Sequence, residues 1–136
     1  MSYITKILNE NKIFAVVGVS ASKEKYGYEV FKALVDHKYK TFPVNPKYES
    51  IDGYRCYKSL VELPEKPEVV VTVVPPAVTE QVIDTCIRSG ISKIWMPPGS
   101  WSETAVKKCE ENSIQSIHDV CLVFALKSLN KKGGSK

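Results

Sequence analysis

Strand-length apolar runs alternate along this chain with segments whose apolar residues recur at helical spacing. The apolar runs lie at residues 13–19, 39–44, 69–74, 93–96 and 115–117. A strand that is apolar on both faces needs cover on both sides, and strand–helix repeats supply that cover around a parallel sheet. We therefore predict an α/β, doubly wound, Rossmann-like fold, with a mainly parallel sheet of five to six strands and helices on both faces.

The interval between the second and third of these runs breaks the pattern. Residues 54–57 form a short strand-like stretch, and a turn of helix follows at residues 59–63. We interpret the stretch as an edge strand and the turn as a reduced crossover, which gives the strand order 3-2-1-4-5. The order then reverses between the runs at 13–19 and 69–74, and doubly wound folds bind ligands at such a reversal.

Capping residues predict three helix boundaries. Ser100 and Glu103 have the spacing of a capping box at the start of one helix. Gly90 lies where the preceding helix should end, and Asp119 is suited to cap the last helix.

Length and charge indicate one ordinary globular domain. The chain has 136 residues, of which 43% are hydrophobic, and we predict a single domain at 1–126 followed by a basic, disordered tail at 127–136. Four lysines of the tail account for the net charge of +4, so the basic and acidic residues of the rest of the chain are equal in number. A nucleic-acid partner is therefore not expected. No run approaches the roughly 20 apolar residues of a membrane span, and we expect a cytoplasmic protein without a membrane partner.

The cysteines do not suggest a metal site or a disulfide framework. The four cysteines contain no C-x-x-C pair, and only two histidines accompany them. Cys86 and Cys109 share helical faces with apolar residues, so we expect both thiols in the core.

The end of the first long run has the composition of a phosphate-binding loop. Gly18 and Ser20 have little side chain to hold a ligand off the backbone, and Lys23 and Lys25 follow before a predicted helix. The first amides of a helix are unpaired and partly positive, so an anion binds well there. We therefore predict a phosphate site at this turn.

Two more segments should meet this loop at the carboxyl edge of the sheet, namely residues 43–47 and 74–76. The chain lacks G-x-G-x-x-G and the acidic residue that binds a ribose diol in dinucleotide sites. Asn45 and Lys47 stand in the acid's place and suit a phosphorylated ribose. The prolines of both segments offer rigid walls to an adenine ring.

These three motifs together resemble the CoA-binding protein family. The family consists of small single-domain relatives of the CoA-binding domain in the alpha subunit of succinyl-CoA synthetase. The resemblance rests on G-x-S with a downstream lysine, on P-V-N-P-K after the second strand and on V-P-P after the next long strand. Gly53, Tyr57-Lys58-Ser59-Leu60, Trp95 and Asp119 also match, and the likeness extends from Ile4 to Leu126.

The resemblance implies coenzyme A or an acyl-CoA as ligand. It places one group of residues around the diphosphate: Gly18, Ser20, Ala21, Ser22, Lys23 and Lys25. It places Asn45, Pro46 and Lys47 at the adenosine, with Lys47 on the ribose phosphate. It assigns Val74, Pro75 and Pro76 to the path of the adenine or the pantetheine arm, and Trp95 and Pro97 to the outer border of the crevice.

The sequence identifies no catalytic constellation. An acyl-CoA ligase of this type needs a phosphorylatable histidine and a nucleotide-activating domain, which the resemblance places outside the CoA-binding unit. Near the last predicted strand, Cys121 either packs inward or exchanges disulfides with the CoA thiol, with His118 beside it. We expect a carrier, sensor or adaptor, as a homo-oligomer or with a partner protein. The alternatives are an NADP-dependent reductase and a protein-interaction subunit that does not use its pocket.

Overall fold

The computed structural model of the chain describes the backbone of residues 3–134 and the side chains of residues 3–129. The elements follow in chain order: α1 (Tyr3–Glu10), β1 (Ile13–Val17), α2 (Tyr26–Asp36), β2 (Lys40–Val44), β3 (Ser50–Ile51), β4 (Tyr54–Arg55), a 3₁₀ turn (Leu60–Glu62), β5 (Val69–Thr72), α3 (Pro76–Ser89), β6 (Lys93–Met96), α4 (Glu103–Glu111), β7 (Gln115–His118) and α5 (Leu122–Gly134).

Five strands form one parallel sheet in the order β2-β1-β5-β6-β7. The chain leaves β1 towards β2 on one side and leaves β5 towards β6 on the other, so the order reverses between β1 and β5. This arrangement confirms the doubly wound, Rossmann-like fold.

Helices cover both faces of the sheet, which explains why its strands are almost wholly apolar. Phe14 and Val16 of β1 face one core with Phe31 of α2, whereas Ala15 faces the other core with Ile83 of α3. Helices α1, α2 and α5 contribute to the first core, and α3 and α4 contribute to the second. Successive strand residues thus point into two different cores, as the pleat requires.

The predicted edge strand at 54–57 is wrong. Tyr54 and Arg55 pair instead with Ser50 and Ile51 in a separate antiparallel hairpin, and only Tyr57 joins β2 through a single bridge. The cause is the Asp52-Gly53 pair, whose φ angles of 51° and 83° suit the two-residue turn that Asp-Gly favours.

Strand β2 is therefore the edge of the sheet, and its Pro43 suits that position. A proline has no N–H to donate to a further strand, so it is tolerated at an edge. The Pro43 carbonyl instead accepts a hydrogen bond from the Tyr57 amide at 2.9 Å.

One predicted helix boundary is confirmed, and two are wrong. Gly90 ends α3 in the left-handed conformation, with φ 74°. Ser102 caps α4 by accepting a hydrogen bond from the Ala105 amide at 2.9 Å, whereas Ser100 is buried and does not cap. Asp119 lies in the turn after β7 with φ 62°, where its amide donates to the Met96 carbonyl, and α5 begins three residues later.

Helix α5 continues past residue 126, the boundary at which the sequence predicts a disordered tail. Leu122, Ala125, Leu126 and Leu129 recur at helical spacing and pack on the first core, so the apolar stripe extends the helix. Residues 127–134 are therefore helical, and the last two residues of the predicted tail lie outside the described residues. Among the described helices, none is long and apolar enough to span a bilayer.

Candidate functional site

The loop after β1 is shaped by a glycine that no other residue can replace without strain. Gly18 has φ 101°, and a Cβ there would overlap the Val73 carbonyl oxygen and lie 2.9 Å from Cγ1 of Val74. Helix α2 approaches the same loop closely, because a Cβ on Gly27 would overlap the Gly18 carbonyl oxygen. The first predicted segment therefore packs directly against Val73 and Val74, where the third segment begins.

Helix α2 begins at this loop with its amino terminus free of a side-chain cap. Lys25 precedes the helix in an extended conformation and makes no side-chain capping hydrogen bond. The loop is held by its own contacts, since the Ser22 amide donates to Ser20 Oγ and the Lys25 amide donates to the Ser22 carbonyl, each at 3.0 Å. The first amides of α2 have no side-chain partner at this end, and Lys23 and Lys25 are exposed just before them.

A carboxylate stands among these cations. Glu24 is exposed, and hydrogen bonds from its own backbone and from Ser22 lower the pKa of its carboxyl group. It is therefore ionised at neutral pH and would repel an anion at this loop.

Asn45 joins the first loop to the second. Its Nδ2 donates to the Val19 carbonyl at 2.8 Å, and its Oδ1 accepts from the Lys47 amide at 2.9 Å. The Gly18 amide adds a third hydrogen bond by donating to the Val44 carbonyl at 2.9 Å. The Asn45 side chain is thereby engaged within the protein, while Pro46 and Lys47 are exposed beside it.

The third segment closes the crevice from the side of β5. The Val73 amide donates to the Val17 carbonyl at 2.8 Å, which extends the contact of β5 with β1. Pro75 precedes α3, and Pro76 is its first residue, so neither proline removes a hydrogen bond from the helix. All three predicted segments therefore meet at the carboxyl edge of β2, β1 and β5.

A cleft of about 460 Å³ extends from this crevice over the ends of β5 and β6, and we call it the β5–β6 cleft. Its walls come from the start of α2 and from the segments after the two strands: Tyr26, Thr72, Val73, Val74, Pro75, Pro76, Pro97, Pro98, Gly99 and Ser100. Tyr26 and residues 98–100 were not predicted as site residues from the sequence. The sequence offered one indication of Tyr26, namely that it is an aromatic residue directly after Lys25 at the start of a predicted helix.

A groove of about 370 Å³ lies near the ends of β1 and β2, and we call it the crossover groove. It runs between residues 58–61 and α3, from Val78 in the first turn of the helix to Arg88 in the last. The groove exists because the crossover from β2 to β5 contains one 3₁₀ turn where a full helix would cover the sheet. Pro46 of the second loop lies at its wall, together with Lys58.

A further cleft of about 460 Å³ follows the outer edge of β2 and is lined by residues of α2, β2 and the hairpin. It includes Lys38, Lys40 and Arg55, and of the three predicted site segments it includes only Pro43. It lies apart from the point where the strand order reverses.

Trp95 does not border the crevice as expected. Its side chain is 0% exposed in the first core, and its Nε1 donates to the Val120 carbonyl at 2.9 Å. Pro97, two residues later, does line the β5–β6 cleft. The difference arises because Trp95 lies within β6 and points into the first core, whereas Pro97 lies beyond the end of the strand.

His118 and Cys121 have different partners. The exposed His118 ring lies 4.7 Å from the Trp101 ring, between centroids. Cys121 is half-buried and accepts a hydrogen bond from the Tyr26 hydroxyl at 3.2 Å. Burial, followed by the contact with Cys121, raises the pKa of Tyr26 far above its ordinary value, so its hydroxyl remains protonated.

The two helix cysteines are core residues, as predicted. Cys86 and Cys109 are 0% exposed, and burial raises the pKa of these thiols to about 12 and about 11. No group of three metal-ligating side chains is found within the described part of the chain.

Comparison with known proteins connects this site to one family. Residues 12–127 match the family described as CoA binding domain. Over 115 residues the chain is 33% identical to the ADP-forming acetate–CoA ligase of Methanocaldococcus jannaschii. The matching region is 85% of this chain but only 16% of that protein. The chain thus spans less than a fifth of the length of that relative.

Two other relatives are similar over nearly their whole length. Uncharacterized protein YneT of Bacillus subtilis is 30% identical over 127 residues, which is 90% of each chain. The solved structure of a hypothetical protein from Pyrococcus horikoshii OT3 superposes with a TM-score of 0.89 at 33% identity, covering 93% of this chain and 89% of that one.

Proposed function

The chain belongs to the CoA-binding domain family, and we propose that it binds coenzyme A or an acyl-CoA at the carboxyl edge of β2, β1 and β5. The observation that carries this proposal is the uncapped start of α2 beside the Gly18 loop, at the reversal of strand order. An anionic ligand finds unpaired amides and two exposed lysines there.

The diphosphate lies against this loop in the proposed complex. Gly18 lets the backbone take a conformation that other residues avoid, and Ser20 shapes the loop through its bond to the Ser22 amide. Lys23 and Lys25 supply the charge. The residues of this subsite are those that the resemblance implied: Gly18, Ser20, Ala21, Ser22, Lys23 and Lys25.

The adenosine lies on the side of β2. Lys47 is exposed beside the tied backbone of the second loop, so its ammonium group is available to the phosphate on the ribose. Asn45 holds this loop in place, which makes it a positioning residue. Pro46 faces the crossover groove, whose apolar floor suits the flat face of a purine.

The pantetheine arm leaves in the opposite direction, over β5. Val74, Pro75 and Pro76 line the start of the β5–β6 cleft and offer an uncharged path to a largely uncharged chain. The crossover groove and the β5–β6 cleft thus suit the adenosine and the pantetheine arm of a CoA molecule.

The role that we propose is that of a cytoplasmic carrier, sensor or adaptor for CoA, acting as a homo-oligomer or with a partner protein. The walls of the β5–β6 cleft include no histidine, cysteine or carboxylate to act as a nucleophile or base. This lining supports a protein that binds its ligand without catalysing a reaction. The relatives named acetate–CoA ligases are several times longer than the region they share with this chain.

A thermal-shift comparison of CoA, NADPH and ATP tests the proposal. At a free concentration of about 100 times its dissociation constant, a ligand of the native state adds about 2.7 kcal/mol to the free energy of unfolding. We expect CoA to raise the midpoint and NADPH and ATP to have little effect. Stabilisation by NADPH without CoA would indicate a reductase, and stabilisation by none of the three would contradict the proposal.

A further inference from the structure

We propose that the outer edge of β2 binds an extended, acidic segment of a partner protein, which adds to the sheet as a further strand. The segment would lie in the cleft of about 460 Å³ that follows this edge, and we call it the β2-edge cleft. The proposal gives the chemistry of the partner and does not depend on CoA binding. The two proposals can therefore fail separately.

Backbone hydrogen bonds fix which groups of β2 point outward. In a β-strand, the N–H and C=O of one residue point to the same side, and successive residues alternate. The Lys40 amide donates to the Lys12 carbonyl at 2.9 Å, so the even-numbered residues of β2 face β1. The odd-numbered residues, Thr41 and Pro43, therefore face outward.

The carboxyl half of this edge is covered, whereas its amino half is open. The Pro43 carbonyl accepts a hydrogen bond from the Tyr57 amide, and the Tyr57 carbonyl accepts one from the Asn45 amide, each at 2.9 Å. Residues 54–55 would lie opposite the amino half if this segment continued along β2, but they pair instead with β3. The hairpin thus leaves the position of a further strand unfilled.

Thr41 lies at this open position with both of its backbone groups unpaired. Within the described part of the chain, neither its amide nor its carbonyl has a hydrogen-bond partner, while its hydroxyl donates to the Tyr39 carbonyl at 3.0 Å. Thr41 is only 7% exposed, and backbone groups so little exposed are nearly always paired in folded proteins. An added strand would supply both partners.

The side chains around the cleft favour a segment with carboxylates. Lys38, Lys40 and Arg55 are exposed on its walls, and none of the described residues that line it is an aspartate or a glutamate. Glu65 pairs with Lys40, whereas Lys38 and Arg55 have no ion pair with any described residue. The Arg55 guanidinium lies 5.0 Å from the centroid of the Tyr57 ring, which holds it at the cleft. Two uncompensated cations therefore remain for an incoming segment.

The same charges argue against a second copy of this chain as the occupant. In a two-fold pair, β2 of one copy would lie beside β2 of the other, so Lys38 and Arg55 of both copies would come together. Like charges placed opposite each other on two strands are destabilising. An acidic segment of another protein meets these cations with the opposite charge and therefore fits the cleft better.

Titration with two matched peptides, followed by amide NMR of the protein, tests the proposal. The probe is acetyl-Glu-Val-Glu-Val-Glu-amide, and its control is the same peptide with lysine in place of glutamate. We expect the acidic peptide to bind at least about tenfold more tightly than the lysine peptide. Its binding should move the Thr41 amide signal downfield, because that N–H gains an acceptor. The Phe42 amide signal should move less, because that amide already faces β1.

Reversing one uncompensated cation should reduce this preference. Arg55→Glu and Lys38→Glu should each lower the ratio of the two affinities at least about threefold, since each replaces an attraction with a repulsion. Two variants are used because Arg55 also contacts Tyr57. Lys107→Glu makes the same charge change on an exposed residue of α4, beyond the other half of the sheet, and should leave the ratio unchanged.

The possible outcomes decide between the occupants. Equal binding of the two peptides, or a Thr41 signal that does not move with the acidic peptide, would overturn the proposal. A ratio that responds equally to Lys38→Glu, Arg55→Glu and Lys107→Glu would also overturn it. Movement of the Thr41 signal with protein concentration alone would identify a second copy as the occupant and show the partner assignment to be wrong. Titration of the same samples with CoA tests the proposed function independently.

Discussion

Replacing Gly18 with alanine tests whether the close approach of two loops builds the phosphate site. The φ of 101° lies in a region that alanine occupies only with strain, which costs about 1–3 kcal/mol. The new Cβ would also overlap the Val73 carbonyl oxygen, a backbone atom at the end of a central strand that moves only with β5. Forcing such an overlap typically costs about 1–3 kcal/mol more.

Gly53 provides a matched control for this substitution. Its φ of 83° imposes similar backbone strain on alanine, but nothing lies within 4 Å of the position of a Cβ. We therefore expect Gly18→Ala to lower the free energy of unfolding by about 1–3 kcal/mol more than Gly53→Ala does. For a domain of this size, each kcal/mol corresponds to about 4 °C in Tm.

Urea unfolding, followed by tryptophan fluorescence, would measure the difference, since Trp95 is fully buried and reports on the core. Calorimetric titration with CoA would then compare the folded variants. We expect Gly18→Ala to weaken CoA at least about tenfold and Gly53→Ala to leave its affinity unchanged, because a shift of Val73 and Val74 displaces the loop amides. Equal destabilisation by the two substitutions would refute the steric argument.

Three further predictions concern single groups of the site and core. Lys47→Glu should weaken CoA more than dephospho-CoA in calorimetry, because only CoA carries the ribose phosphate; equal losses would contradict the assignment. Asn45→Ala should lower the free energy of unfolding in urea by about 1–3 kcal/mol, since it removes the hydrogen bonds of Asn45 with the Val19 carbonyl and the Lys47 amide. An unchanged free energy would contradict its positioning role. At pH 8, mass spectrometry should find Cys86 and Cys109 unmodified by iodoacetamide in the folded protein and alkylated in urea. The reason is that burial in the folded protein raises their pKa and keeps both thiols neutral until the pH rises towards 11. Rapid alkylation of the folded protein would show that the two thiols are exposed.

The fold was largely predictable from the sequence, because strands with two apolar faces leave few alternatives to a covered parallel sheet. The error at 54–57 arose from one dipeptide. Asp52-Gly53 favours a tight hairpin between residues 50–51 and 54–55, and this local pairing prevailed over addition to the sheet edge. The end of α5 was missed because the lysines of the tail obscured Leu129, which continues the apolar stripe.

The loops of the candidate site were predictable as segments, whereas the direction of each side chain was not. Residues 18–25, 43–47 and 74–76 do meet at one edge, because carboxyl ends of parallel strands coincide. Asn45, however, bonds to Val19, and this depends on a distance between loops that the sequence does not contain. Trp95 likewise points into the core because of the register of β6.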